Sequence, residues 1–418
     1  MHFRQFRWSV LAFAVAAVTA NGAPPLSLAA AQRLATADAP LLTAQTAALT
    51  AAEQMRVGAS EQADPKLILG IENVPADGAD RFNLTRDFMT MRKIGLMQEF
   101  TRSDKLKLRG DKAEAEIRRE VAVLAVTRLN VERDVALACI DRYFAERQLE
   151  QMKELARESE MQVATAQASL AGGKGQTADP LAARLAVAQL ADRITDAERN
   201  VARAEANLAR WIGAAAKQPL DAPPAFDQLS HRHADLTTNL ETHPHLAMFA
   251  PMQAAATSEV RLAEAARRPD WNLEIAFAQR GPAYANMLSI GVRIDLPIFQ
   301  GTRQDPAIAS KVALVEQITA QAEDAKRAHA AEIGNMLADW NAARTRVRRY
   351  ATELLPLARE RTEVVLAAYR GGKGELAPVL EARKAEIETR MSHLMAQSEM
   401  ARAWAQLNSM LPDKRDPS

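Results

Sequence analysis

Gly172-Gly173-Lys174-Gly175 recurs as Gly371-Gly372-Lys373-Gly374, 199 residues further on, with helical sequence on both sides each time. Downstream the register holds, since Leu181, Ala183 and Arg184 match Leu380, Ala382 and Arg383 at the same spacing. Upstream, Pro40 and Pro244 are 204 residues apart, as are Pro65 and Pro269, so five residues are lost between the second proline and the glycine-rich turn. A duplication near half the chain length sets the architecture before any local reading. Two copies are too few for a solenoid, so they are read as two halves of one unit.

The 418-residue chain is Ala-rich, with only 5% aromatic residues, which argues for long helices over two or three ordinary domains. A net charge of +1, with Lys and Arg interleaved among Glu and Asp, offers no basic footprint and excludes nucleic acid as the expected partner. The N-terminus runs from Arg4 and Arg7 through the apolar stretch Val10 to Val18 to small residues around Ala20 and Ala23. That is the layout of a cleaved secretory signal, assigned to 1–23, and the stretch is too short to span a bilayer. The lone cysteine, Cys139, lies within a helical repeat and reads as a small apolar packing residue; no cysteine near the signal is placed to take an N-terminal lipid.

From Leu26 to about Ala63 the pattern is helical, with a restart at Ala39-Pro40, and the second half copies it from Thr242-His243-Pro244 to Arg268. After each following proline the period falls to about two. Trp271, Leu273, Ile275 and Phe277 alternate with polar or small residues, then Gly281-Pro282 turns the chain into Leu288, Ile290, Val292, Ile294 and Leu296. The first copy predicts a hairpin from Leu67, Leu69 and Ile71, through Gly78, to a strand carrying Phe82, Leu84, Phe88, Met89, Met91, Ile94 and Leu96. Aromatics gather in and beside these four strands, as at the interfaces of outer-membrane barrels, but four strands are too few to close one.

Two very long helical runs follow, about Ser103–Ala171 and Asp305–Arg370, each on the order of 100 Å at about 1.5 Å per residue. In the first, a 3-4 spacing from Ile117 through Val121, Val131, Val135 and Met152 to Leu170 predicts a coiled-coil seam, with Arg128, Arg142 and Ser159 as polar exceptions. Each run reverses at its glycine turn, and the returning helices begin at Asp179-Pro180 and near Pro378. The resulting plan is a first repeat over 24–213, a Pro-rich linker over 214–230, a second repeat over 231–411 and a tail over 412–418. The glycine turns lack the spacing and the preceding strand of a phosphate-binding loop.

Thr85-Arg86-Asp87-Phe88-Met89-Thr90-Met91-Arg92 with Met97-Gln98-Glu99-Phe100, Asp295-Leu296-Pro297-Ile298-Phe299 with Arg303-Gln304-Asp305-Pro306, and Tyr369-Arg370-Gly371-Gly372-Lys373-Gly374 resemble segments of the TolC family of outer-membrane efflux factors. Within it they look most like the CzcC-like heavy-metal branch. The resemblance covers about Leu26 to Leu411. It implies a mainly α fold with a small β part: long α-helical hairpins form a coiled-coil periplasmic tunnel, and a homotrimer shares one twelve-stranded β-barrel in outer-membrane lipid, four strands per protomer. It also implies a passive duct, with no cofactor and no catalysis, working with a periplasmic adaptor (membrane fusion protein) and an inner-membrane RND-type pump.

By that resemblance the adaptor contacts the tip residues Gly172, Gly173, Lys174 and Gly175, and Tyr369, Gly371, Gly372, Lys373 and Gly374. Asp179, Arg184, Glu381 and Arg383, just above the turns, are candidate gate charges. No catalytic constellation is present. His231 and His233, with His243 and His245, resemble paired metal ligands, but His243-Pro244 falls at a helix start and is read as structural, so no metal site is assigned. Met89, Met91 and Met97 would suit a soft-metal path and are read instead as apolar strand residues. The alternatives are a soluble periplasmic coiled-coil adaptor or chaperone, or a duct for organic compounds.

Overall fold

Both halves run in the same order: short helices, a β-hairpin, then a long helical hairpin. The structure, a computed structural model, describes residues 25–173, 176–231, 233–238 and 240–411. The expected signal at 1–23, Lys174, Gly175 and the tail at 412–418 lie outside the described residues. The first half comprises α1 (Leu28–Asp38), α2 (Pro40–Ala59), β1 (Lys66–Glu72), β2 (Met91–Phe100), α3 (Ser103–Ala171) and α4 (Asp179–Ile212). The second comprises α5 (His233–Thr237), α6 (Pro244–Ala247), α7 (Phe249–Ala265), β3 (Trp271–Gln279), β4 (Met287–Ile294), α8 (Gln304–Arg349), α9 (Leu355–Arg370) and α10 (Leu376–Asn408).

Helix starts follow local chemistry. The Ser27 hydroxyl accepts the Ala30 N–H at the head of α1, and Pro40, Pro180 and Pro244 sit in first turns, where their missing N–H costs nothing. At 69 residues, α3 is continuous. The matching run of the second half was expected to be continuous too, but it opens into a π-turn at Tyr350–Leu354 before α9. Pro356 explains the difference: its ring lacks a donor and crowds the preceding turn, so the backbone widens there, whereas position 157 of the first copy is Arg157.

The predicted seam of α3 is buried from Val131 through Val135, Ala138, Met152 and Ser159 to Ala166, while Val121 is exposed. Two of its polar exceptions are accommodated inside. The buried Arg142 guanidinium donates to the Ala216 carbonyl and to Glu146 Oε1, and Ser159 donates back to the Leu155 carbonyl at 2.9 Å. Arg128 stays outside, paired with Glu132. Cys139 is buried with Val135, Ala138 and Leu208, and burial pushes its thiol up to about 12, against the opposing pull of Arg142.

The four strands form one antiparallel sheet in the order β1-β2-β3-β4, with β2 joined to β3 across the two halves. The registers Gly95↔Ala276, Leu96↔Ile275 and Ile275↔Ile290 sort the side chains into two faces. One face carries Leu67, Leu69, Ile94, Leu96, Leu288 and Ile290, all exposed, with Leu69, Leu288 and Ile290 at 69–70%. Phe100 stacks on Trp271 at 4.3 Å, at the end of this face nearest the helices. The opposite face carries Lys66, Glu72, Lys93, Glu99, Glu274 and Arg293.

Two expectations need correction. The second strand of the first hairpin begins at Met91, not at Phe82, because residues 73–90 are captured by local bonds. Asn83 Oδ1 accepts from the Thr85 and Arg86 N–H groups, and Asp87 Oδ1 accepts from those of Met89 and Thr90. Asn73, Gly78 and Phe82 all take positive φ. Gly281 then docks the opposing loop on this one, since a Cβ there would overlap the Thr85 carbonyl.

The Pro-rich linker is also no loose tether. Leu26 pairs with Leu220, the Trp340 indole donates to the Phe226 carbonyl at 2.9 Å, the Trp404 indole donates to that of Gln228 at 2.7 Å, and the Ser230 N–H donates to Asn408 Oδ1 at 2.8 Å. Phe226 itself is buried among Ile140, Trp340 and Leu407. The strap therefore belongs to the core that joins α3, α8 and α10.

Candidate functional site

At the far end of the helices from the sheet, the two glycine turns adopt matching geometry. Gly173 has φ +71 and Gly372 has φ +69, the left-handed conformation that closes a helix without a Cβ penalty. In the second turn the Gly372 N–H donates to the Tyr369 carbonyl and the Lys373 N–H to that of Ala368, the paired bonds of a Schellman cap. In the first, Gly173 N–H reaches Leu170 O in the same way. Gly172 and Gly371 keep negative φ, so only one glycine of each pair is demanded by backbone geometry. The tips are held by a small core of Ala166, Ala183, Leu376 and Val379, against which Tyr369 packs.

The four candidate gate charges do not form one cluster. Asp179 starts α4 and accepts the Gln176 N–H, closing the turn on itself. Arg184 and Glu381 are exposed. Arg383 alone of the four enters ion pairs among the described residues: its Nη1 lies 2.9 Å from Glu158 on α3 and 3.2 Å from Glu386 on its own helix. Glu386 is almost fully buried and also takes Arg390 at 2.6 Å. One helix turn closer to the tip, Thr362 donates to the Ala382 carbonyl and ties α9 to α10. Arg383 thus bridges the two helical hairpins. Its partner Glu158 was not foreseen, because no sequence periodicity links α3 to α10.

The charged face of the sheet is the other functional surface. Lys93 lies 3.2 Å from Glu72 and 2.8 Å from Glu274, and Glu274 also takes Arg293 at 2.5 Å. Met91 and Met97 were expected among the apolar strand residues, but alternation along β2 sets both opposite Ile94 and Leu96, on this charged face, with Arg293 Nη1 3.6 Å from the Met97 sulfur. Met89 lies in the 73–90 loop.

His243 precedes α6 as expected and also meets a histidine that the sequence did not single out. Its Nδ1 lies 3.0 Å from Nε2 of His329 on α8, and the His245 ring lies 5.6 Å from that of His329. Among the described residues, both ring nitrogens of buried His231 lack a hydrogen-bond partner. No group of three or more His, Cys, Asp or Glu among the described residues is arranged to hold a metal ion. Burial holds His243 below its ordinary value near 6.5, helped by His329 and His231, while the Asp235 backbone pulls the other way. Burial likewise lowers His245, with His329, Arg133 and His243 reinforcing and Glu332 opposing.

A histidine whose folded pKa is depressed binds its proton more readily in the unfolded chain. Stability is then complete above about pH 6.5 and is lost as pH falls toward the folded value. Thermal unfolding at pH 7.5 and pH 5.5 checks this: the melting temperature drops at the lower pH, and the drop shrinks in His243→Asn. An equal drop in both would rule His243 out as its source.

The described residues thus form a sheet with one continuous apolar face, standing on two helical hairpins that end in paired glycine turns. Among the described residues no helix is long and apolar enough to cross a membrane. Residues 236–412 match the family described as outer membrane efflux protein. A comparison with curated protein sequences finds no match. Among solved structures, CusC aligns with a TM-score of 0.78 at 18% identity over 92% of both chains. The outer membrane protein VceC from Vibrio cholerae aligns at 0.76 and 17%, over 92% of this chain and 95% of that one. The outer-membrane channel OprN aligns at 0.77 and 16%, over 92% and 90%. The second repeat thus carries the sequence signature of outer membrane efflux proteins, and the whole chain has the fold of these channels.

Proposed function

We propose that this protein is the outer-membrane exit duct of a tripartite efflux system, assembled as a homotrimer, with heavy-metal cations as its cargo. The carrying observation is the sheet. Its apolar face is exposed across all four strands, and the outer edges of β1 and β4 have no partner strand among the described residues. A single chain in water would not leave such a surface and two open edges uncovered, whereas lipid covers the face and neighbouring copies cover the edges. This disfavours a soluble adaptor or chaperone. The helical hairpins then extend into the periplasm as a tunnel, and their glycine tips face a periplasmic adaptor joined to an inner-membrane pump.

Such a duct conducts passively, and the charged sheet face becomes its wall. Metal cargo rests on the resemblance of the hairpin and tip segments to the heavy-metal branch. A deletion strain, tested for sensitivity to metals and to organic drugs with the protein's membrane fraction assayed in the same cells, decides the matter. Metal sensitivity with outer-membrane location supports the reading. Drug sensitivity alone replaces the cargo, and a soluble periplasmic protein overturns the duct.

Within this reading Arg383 holds the tip shut by tying the second hairpin to Glu158 on the first. Arg383→Ala removes the bridge, leaving Glu158 without this partner and nearly buried Glu386 with Arg390 alone, so the cost stays below the about 3–5 kcal/mol of a buried pair broken outright. The expected result is a raised resting conductance in planar bilayers with the trimer intact, and wild-type conductance would exclude Arg383 from gating.

A further inference from the structure

One line of ion pairs crosses the whole sheet: Glu72 on β1, Lys93 on β2, Glu274 on β3 and Arg293 on β4. The signs alternate, so the line begins with an anion at one open edge and ends with a cation at the other. Exposure follows position. Lys93 and Glu274, inside the sheet, are 18% and 12% exposed, whereas the terminal Glu72 and Arg293 are 46% and 64% exposed. Among the described residues each terminal group has one ion-pair partner where each inner group has two.

The line is also slanted in one direction. Glu72 is level with Met91, and Lys93 lies two residues nearer the helices. Lys93 is level with Ala278, and Glu274 lies four residues nearer. Glu274 is level with Gly291, and Arg293 lies two residues nearer. Closed barrels tilt their strands and stagger their register, so a slanted line across each sheet can continue from copy to copy as a belt.

We propose that β4 of one copy pairs with β1 of the next so that Arg293 meets Glu72 of the next copy, closing the ion pairs into an unbroken belt around the inner wall. This rests on the trimeric barrel proposed above and adds its register. The strand directions allow it, because all neighbours in the sheet are antiparallel and β4 meets an incoming β1 antiparallel. Charge complementarity selects it: Arg293 is the only cation on β4, and Glu72 is the only carboxylate on β1. In Glu72–Lys93 and Glu274–Arg293 the carboxylate lies two residues farther from the helices than its cation, and keeping that spacing at the seam places Glu72 of the next copy level with Gly291, a two-residue step back against the slant. The belt is then neutral overall and presents no unpaired carboxylate to cargo.

Two measurements test this on the full-length protein in detergent. In a Cys139→Ala background, Glu72→Cys with Gly291→Cys brings two directly opposed strand positions within disulfide reach, and mild oxidation should give covalent trimers on non-reducing gels. Second, Glu72→Gln and Arg293→Gln sit on opposite edges of one sheet and share no direct partner, so within one chain they couple only through the Lys93–Glu274 pair, and in a Lys93→Gln background that route is gone and their effects add. If they meet between copies, each lowers the melting temperature of the SDS-resistant trimer, and the double variant falls no further than the worse single. Assembled trimers without cross-links, together with additive losses, overturn the register and leave the trimer standing. Absence of any trimer in the unmodified protein overturns both.

Discussion

Gly372→Trp is expected to abolish efflux-dependent resistance while the protein still reaches the outer membrane and assembles. Gly372 sits at φ +69 with nothing within 4 Å of where a Cβ would project, so the indole would stand out from the tip into the space the proposed adaptor would occupy. A non-glycine residue in the left-handed region costs roughly 1–2 kcal/mol, which is small beside the core that holds the hairpins. Two companions separate strain from bulk. Gly372→Asn tolerates the same φ and should keep most activity. Gly371→Trp adds the bulk at a negative φ and should block nearly as well. If all three variants pump normally, the second glycine turn is not a docking surface.

Trp340→Ala carries the largest expected loss of stability. The ring is buried between α8, α10 and the strap, stacked under the Arg344 guanidinium at 4.8 Å, and its N–H is the bond that holds Phe226. Truncation of a buried Trp costs about 3–5 kcal/mol. The Phe226 carbonyl also loses its donor, adding roughly 1–3 kcal/mol if water does not reach it. Thermal unfolding should shift sharply downward, and limited proteolysis should cut faster within 218–230 than in the unmodified protein. Trp404→Phe, which removes only the bond to Gln228, should cost far less.

Much of the architecture was legible because it is periodic. The long helix at Ser103–Ala171 and the returning helix from Asp179 ended where glycine and proline had marked them. β3 and β4 matched their alternation to within a residue or two. The failures fall where a local competitor or a distant partner decides. Asn83 and Asp87 bond their own backbone and take 73–90 out of the sheet, although Phe82, Leu84 and Phe88 keep strand-like spacing. Pro356 was visible in the sequence, but only the structure reveals that it widens the helix without ending it.

The candidate tip was legible in the same way, since a repeated glycine turn is a backbone requirement written in the residue itself. The bridge above it was not. Arg383 was singled out for standing near the turn, but Glu158, Glu386 and Arg390 complete it from positions that share no spacing with it. His329 joins His243 across 86 residues for the same reason.

By itself the sequence determined the twofold plan, the helix ends, the four strands and the glycine tips, because each is set by contacts within a few residues. Tertiary structure alone decided that Met97 lies level with Lys66 and Lys93 with Ala278, that the Pro-rich segment is a strap bound by two indoles, and that Arg383 ties one hairpin to the other. Those outcomes depend on strand register and helix rotation, and neither is specified until distant segments pack.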